Sequence, residues 1–211
     1  MTYEANGARF IAKDDMIVRW CRETGHPFEP ETTEFIFGAT GMFVDVGAST
    51  GWFSIPMALR GHKVEAFEPN PAVFRRLSDN ADLNGAVIAM HHAAASDKGG
   101  SVTMWINPAV PLTSGGSIEK ATCARPKRIE VQTVRLDDAL SGDVSLIKID
   151  VEGHEMAVLR GAEKTVERCR PRIVLEANTP DHCAALALWL DAHGYSWHRA
   201  DHRNMLCIPS S

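Results

Sequence analysis

Short β-branched runs alternate with stretches of helical periodicity along most of this chain, and that alternation constrains the fold more than any other feature. Strands that alternate with helices build a parallel sheet covered on both faces. The strand runs are Met42 to Val46, Val64 to Phe67, Val87 to Met90, Leu146 to Val151 and Ile173 to Leu175. They carry no helical spacing and are apolar enough for strands buried on both sides. Between and before them lie helix patterns with recognisable ends. Asp14 or Asp15 starts one as N-cap, with Met16, Ile17, Val18, Trp20 and Cys21 following and Gly25 closing it, and a second follows Pro30. Asn70 and Pro71 read as N-cap and first helical position, after which Val73, Phe74, Leu77 and Ala81 recur at helical spacing up to Gly85. Met156, Val158 and Leu159 mark a helix between the last two strand runs, and Thr179 with Pro180 opens a long one through Leu186 and Leu190 to Gly194.

The C-terminal stretch breaks the alternation. Tyr195 to Arg199 and Met205 to Ile208 are joined only by Ala200 to Asn204. So short a connection closes only an antiparallel pair, because a parallel neighbour needs a crossover of about a dozen residues. An α/β fold is expected in which an otherwise parallel sheet ends in an antiparallel hairpin. No repeat, low-complexity tract or linker divides the 211 residues, so a single domain is expected, with 1–40 as an N-terminal helical cap and 41–211 as a Rossmann-like core.

Charge and composition exclude some functions. With 22 basic against 27 acidic side chains, the chain lacks the electropositive surplus that a phosphate backbone demands, and a nucleic-acid partner is not expected. No apolar run is long enough to span a bilayer, so no membrane insertion is expected. MTYEANGARF has neither a basic nor an apolar leader region, which points to the cytoplasm. The five cysteines, Cys21, Cys123, Cys169, Cys183 and Cys207, are scattered and fit free buried thiols better than a disulfide framework or a zinc knot.

The exit of the first strand carries the chemistry. Asp45-Val-Gly47-Ala-Ser-Thr-Gly51 is a strand-to-helix turn whose glycines let backbone amides approach a ligand. It is not the G-x-G-x-x-G fingerprint of a dinucleotide site, which opposes a nicotinamide-dependent oxidoreductase. Glu68 lies about 20 residues beyond Gly47 at the end of the second strand, where a carboxylate can accept hydrogen bonds from both ribose hydroxyls of a nucleoside. A second constellation, Lys148-Ile-Asp150-Val-Glu152-Gly-His154-Glu155, sits at the mouth of the fourth strand. Strand alternation puts Lys148, Asp150 and Glu152 on one side, and ionisable groups there are costly unless paired or used.

The runs FVDVGASTGWFS, AFEPNP, AAASDKGG, VQTVRLDDAL and LIKIDVEGHE followed by VLRGAE resemble the FkbM-type methyltransferases, a branch of the class I S-adenosylmethionine-dependent enzymes. The resemblance covers about Phe10 to Asn178 and is strongest at Asp45 to Gly51, Glu68 to Pro71 and Lys148 to Glu155. It implies a seven-stranded sheet with the last strand antiparallel, S-adenosylmethionine at the strand C-termini, and O-methylation of a sugar or natural-product hydroxyl. Carried over, it puts Asp45, Gly47, Ala48 and Gly51 around the methionine part of the cofactor, with Asp150 nearby. It also puts Glu68 on the ribose, Pro69 and Asn70 beside it, and Ala94, Ala95 and Ser96 along the adenine edge. Ser49-Thr50 departs from the family pattern without touching the glycine frame, and Pro56 implies a kink or a helix start nearer Ser54.

In-line placement supplies much of the acceleration in methyl transfer, and a base takes the hydroxyl proton last. His154 is attractive for that role because an imidazole titrates near neutrality, and Glu152 and Asp150 compete with it. Asp150, Glu152 and Glu176 are hard oxygen ligands of the kind Mg²⁺ takes, but no sequence spacing defines such a site and no metal ligand is assigned. The irregular segment Asn107 to Arg128, with Pro108, Pro111, Gly115, Gly116 and Pro126, is expected to act as a lid on a small-molecule or glycan acceptor pocket. A non-catalytic interaction module of the same fold is the remaining alternative, disfavoured by Glu68 and the strand-end cluster.

Overall fold

The computed structural model describes residues 1–109, 116–121 and 123–210. In chain order, β1 (Thr2–Ala5) and β2 (Ala8–Ile11) form a hairpin, followed by α1 (Met16–Thr24), α2 (Pro30–Phe37), β3 (Met42–Val46), α3 (Ser54–Leu59), β4 (Val64–Phe67), α4 (Pro71–Asn84) and β5 (Ala89–His91). Next come β6 (Ala94–Ala95), β7 (Gly100–Ile106), β8 (Lys127–Val134), α5 (Leu136–Ala139), β9 (Val144–Ile149), α6 (Glu155–Gly161) and α7 (Glu163–Cys169). The chain ends with β10 (Arg172–Glu176), α8 (Pro180–Ala192), β11 (Tyr195–Arg199) and β12 (Asn204–Pro209).

Seven strands make one sheet in the order β11-β12-β10-β9-β3-β4-β5. β10, β9, β3, β4 and β5 pair in parallel, and β12 runs antiparallel between β10 and β11. The short connection, 200–203, thus joins β11 to β12 as an antiparallel pair, as expected. Alternation along each central strand divides the core into two layers. Val44, Val46, Ile147 and Leu175 pack toward Leu159, Val166, Leu186 and Leu190 on one face. Phe43, Leu146 and Val174 pack toward Phe10, Val18, Ile36 and Ile55 on the other.

The helix ends are local chemistry. Asp15 accepts from the Val18 amide at the start of α1, Asn70 from the Ala72 amide at the start of α4, and Thr179 from the His182 amide at the start of α8. Left-handed Gly25 and Gly85 close α1 and α4. α3 begins at Ser54, so Pro56 falls in its first turn, where a missing N–H removes no helical bond.

Two parts depart from the sequence reading. The segment 1–40, expected to be helical, begins with the β1–β2 hairpin, in which Tyr3 pairs with Phe10 across a two-residue turn. Asn6 (φ 56°) and Gly7 (φ 81°) both adopt positive φ there, as a type I′ turn requires, and Asn-Gly is the residue pair that favours it. The hairpin is tied to α4, where the Asn80 side chain accepts from the Ile11 amide and the Asn84 side chain from the Arg9 amide. The segment between the third and fourth strand runs is also more regular than expected. β7 pairs antiparallel with β8 over its whole length, and β8 pairs in parallel with β6 to make a separate three-stranded sheet. Lys127 and Arg128 therefore belong to a strand, while Pro111, Gly115 and the rest of 110–115, with 122, lie outside the described residues. Among the described residues, no helix is long and apolar enough to cross a membrane.

Candidate active site

Parallel strands place their carboxyl ends side by side, and register aligns them here: Asp45 faces Lys148 across β3 and β9, and Val46 faces Phe67 across β3 and β4. Above these ends opens a cleft enclosing about 1060 Å³ of space between atoms, its open mouth included. Its wall takes in Gly47, Ala48, Glu68, Pro69, Asn70, Ala94, Ala95, Asp150, Glu152 and His154, all singled out in the sequence. Asp45, Gly51 and Ser96 stand one layer behind. Asp45 is buried and accepts a 2.6 Å hydrogen bond from Ser54 Oγ. Left-handed Gly51 (φ 90°) packs against Ile55 and Leu77, where a β-carbon would crowd both. The Ser96 hydroxyl is turned toward His154.

The glycine turn does two jobs. At Gly47 (φ 77°) it lets β3 pass against the β9 exit so closely that a β-carbon would overlap the Asp150 carbonyl oxygen. It then aims the Ser49 amide, itself on a left-handed residue (φ 51°), at Glu68 Oε2, 3.0 Å away. Glu68 Oε1 accepts from the Asn70 amide at 2.8 Å. Burial pushes the Glu68 carboxyl up to about 7, against the pull of these two amides. The turn is anchored from outside the sheet: Thr50 Oγ1 donates to Asp15 Oδ2 at 2.8 Å, and Asn80 Nδ2 donates to the Thr50 carbonyl at 2.9 Å.

Beside the turn lies a buried ion network. Lys148 Nζ donates to Asp150 Oδ2 at 3.1 Å and lies 4.0 Å from Asp45 Oδ1. Burial alone would lower the Lys148 pKa, but Asp150, Asp45 and Glu29 more than offset it and the net shift is upward. Burial raises Asp45 despite Lys148, and raises Glu152, to which the Asp150 charge adds. Glu155 is fully buried, its Oε1 accepting from the Val151 and Gly153 amides, and burial pushes its carboxyl up to about 7. His182 Nε2 stands 3.2 Å from Glu155 Oε2 without hydrogen-bond alignment. Glu155 thereby shapes the tight loop that holds Glu152 (φ 56°) and Gly153 (φ 106°).

The three residues named as candidate bases sit in different surroundings. Both His154 ring nitrogens are engaged, Nδ1 with Glu119 Oε1 at 2.5 Å and Nε2 with Ser96 Oγ at 2.9 Å. Asp150 is held by Lys148, whereas the half-buried Glu152 carboxylate opens on the cleft. Glu119 belongs to the segment expected to form a lid. There Ser117 pairs with Trp105 and donates from Oγ to the Glu152 carbonyl, and Gly116 and Ile118 line the cleft.

A profile described as the Methyltransferase FkbM domain matches residues 45–197. The chain belongs to the FkbM methyltransferase family. The FkbM domain here is 31% identical over 128 residues to the hexuronic acid methyltransferase AglP of Haloferax volcanii, covering 58% of this chain and 50% of that protein. It is 28% identical over 185 residues to the 31-O-demethyl-FK506 methyltransferase FkbM of Streptomyces tacrolimicus, covering 72% and 71%. The chain thus spans between half and about seven-tenths of the length of these curated relatives. Among solved structures, the FkbM methyltransferase of Methylobacillus flagellatus superposes with a TM-score of 0.59 at 20% identity, over 80% of this chain and 44% of that one. A Pyrococcus abyssi tRNA (uracil-54, C5)-methyltransferase in complex with S-adenosyl-L-homocysteine superposes with a TM-score of 0.51 at 15% identity, over 99% and 43%. At such identities these two establish the class I fold of the FkbM domain and nothing finer.

Phe53 and Arg203 reach the wall without having been singled out in the sequence. Trp52 reaches it as the pocket-wall tryptophan the sequence allowed, and Phe28 and Glu29 close it from the N-terminal side, as expected of the stretch 28–31; Glu29 and Arg203 lie outside the matched span. Lys148 could be placed on the correct side by alternation, but its pairing with Asp150 needed the fold. Asp150, Glu152 and Glu176 each offer an oxygen within 4.8 Å of the others, a donor set of a type suited to a hard cation. Arg203 already pairs with Glu176 and Lys148 with Asp150, so cationic side chains supply the compensating charge.

Proposed function

We propose that this chain is an S-adenosylmethionine-dependent methyltransferase that O-methylates a hydroxyl of a sugar, glycan or small natural product. The observation that carries the reading is the Glu68 carboxylate. It is buried at the end of β4, faces the cleft, and is fixed by the Ser49 and Asn70 amides in the place where a nucleoside ribose is bound in sheets of this kind. When bound, the cofactor supplies a methyl group activated by a sulfonium. Gly47 and Ala48 offer backbone beside it, Pro69 and Asn70 flank the ribose, and Ala94 and Ala95 form the apolar wall for an adenine. The named activities of these relatives, a hexuronic acid methyltransferase and a 31-O-demethyl-FK506 methyltransferase, support an oxygen acceptor on a sugar or natural product.

On the acceptor side, Glu152 takes the hydroxyl proton onto its carboxylate as the new carbon–oxygen bond forms. His154 is held between Glu119 and Ser96, so its part is to fix the loop that carries Glu152. Burial and the Asp150 charge keep Glu152 more basic than an ordinary carboxylate, which suits proton abstraction near neutral pH. Calorimetric titration with S-adenosylmethionine, S-adenosylhomocysteine and NAD tests the reading. Binding of both sulfur nucleosides and not NAD is expected, and binding of NAD alone overturns it.

A further inference from the structure

The two ends of the cleft differ in chemistry. Phe67, Pro69, Val73 and the alanines 93–95 make the Glu68 end largely apolar, whereas the other end gathers Glu29, Lys148, Asp150, Glu152 and Arg203. Both cations at that end are already paired, Lys148 with Asp150 and Arg203 with the buried Glu176. Among the described residues, Glu29 and Glu152 form no direct ion pair, although Lys148 acts on Glu29 and Arg203 and Lys120 act on Glu152.

Glu29 is placed unusually. It is the N-cap of α2, yet its backbone is left-handed (φ 43°, ψ 65°) and its side chain makes no cap bond. Asp15, Asn70 and Thr179 cap their helices from extended backbone with side-chain oxygens. The Glu29 carboxylate turns into the cleft instead, near Lys148 and hydrogen-bonded to the Asn204 side chain, and it is its Oε2 that is buried without a hydrogen-bond partner. Left-handed backbone at a non-glycine residue is strained, and a buried oxygen that accepts nothing adds a desolvation penalty. A donor arriving with a ligand removes that penalty. Burial pushes the Glu29 carboxyl up while Lys148 pulls it back.

We propose that Glu29 selects the acceptor: its unpartnered oxygen accepts a hydrogen bond from an acceptor hydroxyl, and its charge favours a neutral polyhydroxylated glycoside over one bearing a carboxylate. The inference rests on the methyltransferase reading above and adds to it the charge of the acceptor. A carboxylate at this end would meet five carboxylates, Glu29, Asp45, Asp150, Glu152 and Glu176, against three cations, Lys120, Lys148 and Arg203. Because Glu29 precedes the span 45–197 that matches the family, this selectivity is a property of the flanking segment and can differ between relatives that share the domain.

The test uses the whole chain saturated with S-adenosylhomocysteine, titrated by saturation-transfer NMR with methyl β-glucopyranoside and with its 6-carboxylate analogue, methyl β-glucuronide. The wild-type chain should bind the neutral glycoside at least about tenfold more tightly, the size of effect like-charge juxtaposition gives. Glu29→Gln keeps shape and an acceptor oxygen but removes the charge, and should shrink the preference below about threefold. Glu29→Ala should also weaken the neutral glycoside by about tenfold, through the lost hydrogen bond. S-adenosylhomocysteine affinity should be unaltered in both variants, which shows that they fold. The proposal is overturned if the glucuronide binds as well as the glucoside, if neither glycoside binds, or if Glu29→Gln leaves the ratio unchanged. If the wild-type chain does not bind S-adenosylhomocysteine at all, the methyltransferase reading falls and this proposal falls with it.

Discussion

The carbonyl oxygen of Asp150 occupies the place where a β-carbon on Gly47 would have to stand. The exits of β3 and β9 are therefore packed backbone against backbone, and the turn that offers its amides to the cleft is set by the strand that brings the acceptor-side carboxylates. Gly47→Ala meets two obstacles, the left-handed backbone and the overlap with a carbonyl that cannot swing aside. It should lose at least about 2 kcal/mol of stability and weaken S-adenosylhomocysteine binding, read by urea unfolding and calorimetry. A variant as stable as the wild type, with intact binding, would show that the two strand exits can part freely.

Glu68 predicts a proton signature. Burial puts its carboxyl at about 7, while a ribose hydroxyl pair prefers the ionised form. Cofactor binding at pH 6.5 should then release protons, seen as a dependence of the calorimetric enthalpy on the buffer, and affinity should rise from pH 6 to pH 8. For stability the sign is opposite. A carboxyl raised above its unfolded value stabilises the fold below the unfolded pKa of about 4.3, and that contribution is lost as pH rises through about 7. Glu68→Gln should abolish the proton release, remove this part of the pH dependence of stability, and lower cofactor affinity by about tenfold or more, as expected for hydrogen bonds to a charged group.

Much of this architecture was legible in the sequence because it is dictated locally. Asn70-Pro71 and Gly85 bracket α4 by capping chemistry, and the short connection 200–203 forces the antiparallel pair. Other local signals were present and passed over. Asn6-Gly7 is a strong hairpin turn, and β7 and β8 carry period-two alternation, hidden by the long segment between them. What could not be read is what depends on partners distant in sequence. His154 looks like a free base until Glu119 and Ser96 take both its nitrogens, and nothing near Glu29 says that its carboxylate forgoes capping.

Glu155 holds the acceptor-side loop through the amides of Val151 and Gly153. Glu155→Ala leaves both donors without an acceptor and should destabilise the chain by about 2 to 4 kcal/mol in urea unfolding. Glu155→Gln retains one acceptor oxygen and should recover most of that loss. Equal stability of the Ala variant and the wild type would mean that the loop stands without the carboxylate.

The base assignment separates Glu152 from His154 by magnitude and by pH. Glu152→Gln should lower kcat by about 10² to 10⁴ with cofactor affinity nearly intact, because the group acts on the proton rather than on the nucleoside. In the wild type, kcat should fall on the acid side as Glu152 becomes protonated. That limb should lie above the ordinary carboxylate range, because burial and Asp150 raise the group, and it should vanish in Glu152→Gln. His154→Ala frees the Glu119 and Ser96 contacts and should cost only about tenfold in kcat, the acid limb staying in place. If His154→Ala instead removes the limb and Glu152→Gln does not, the imidazole is the base and must release one of its two partners on acceptor binding. Chelator treatment should leave turnover unchanged, since Lys148 and Arg203 already balance Asp150 and Glu176. Loss of activity restored by Mg²⁺ would reassign Asp150, Glu152 and Glu176 to a cation and take Glu152 out of the role of base.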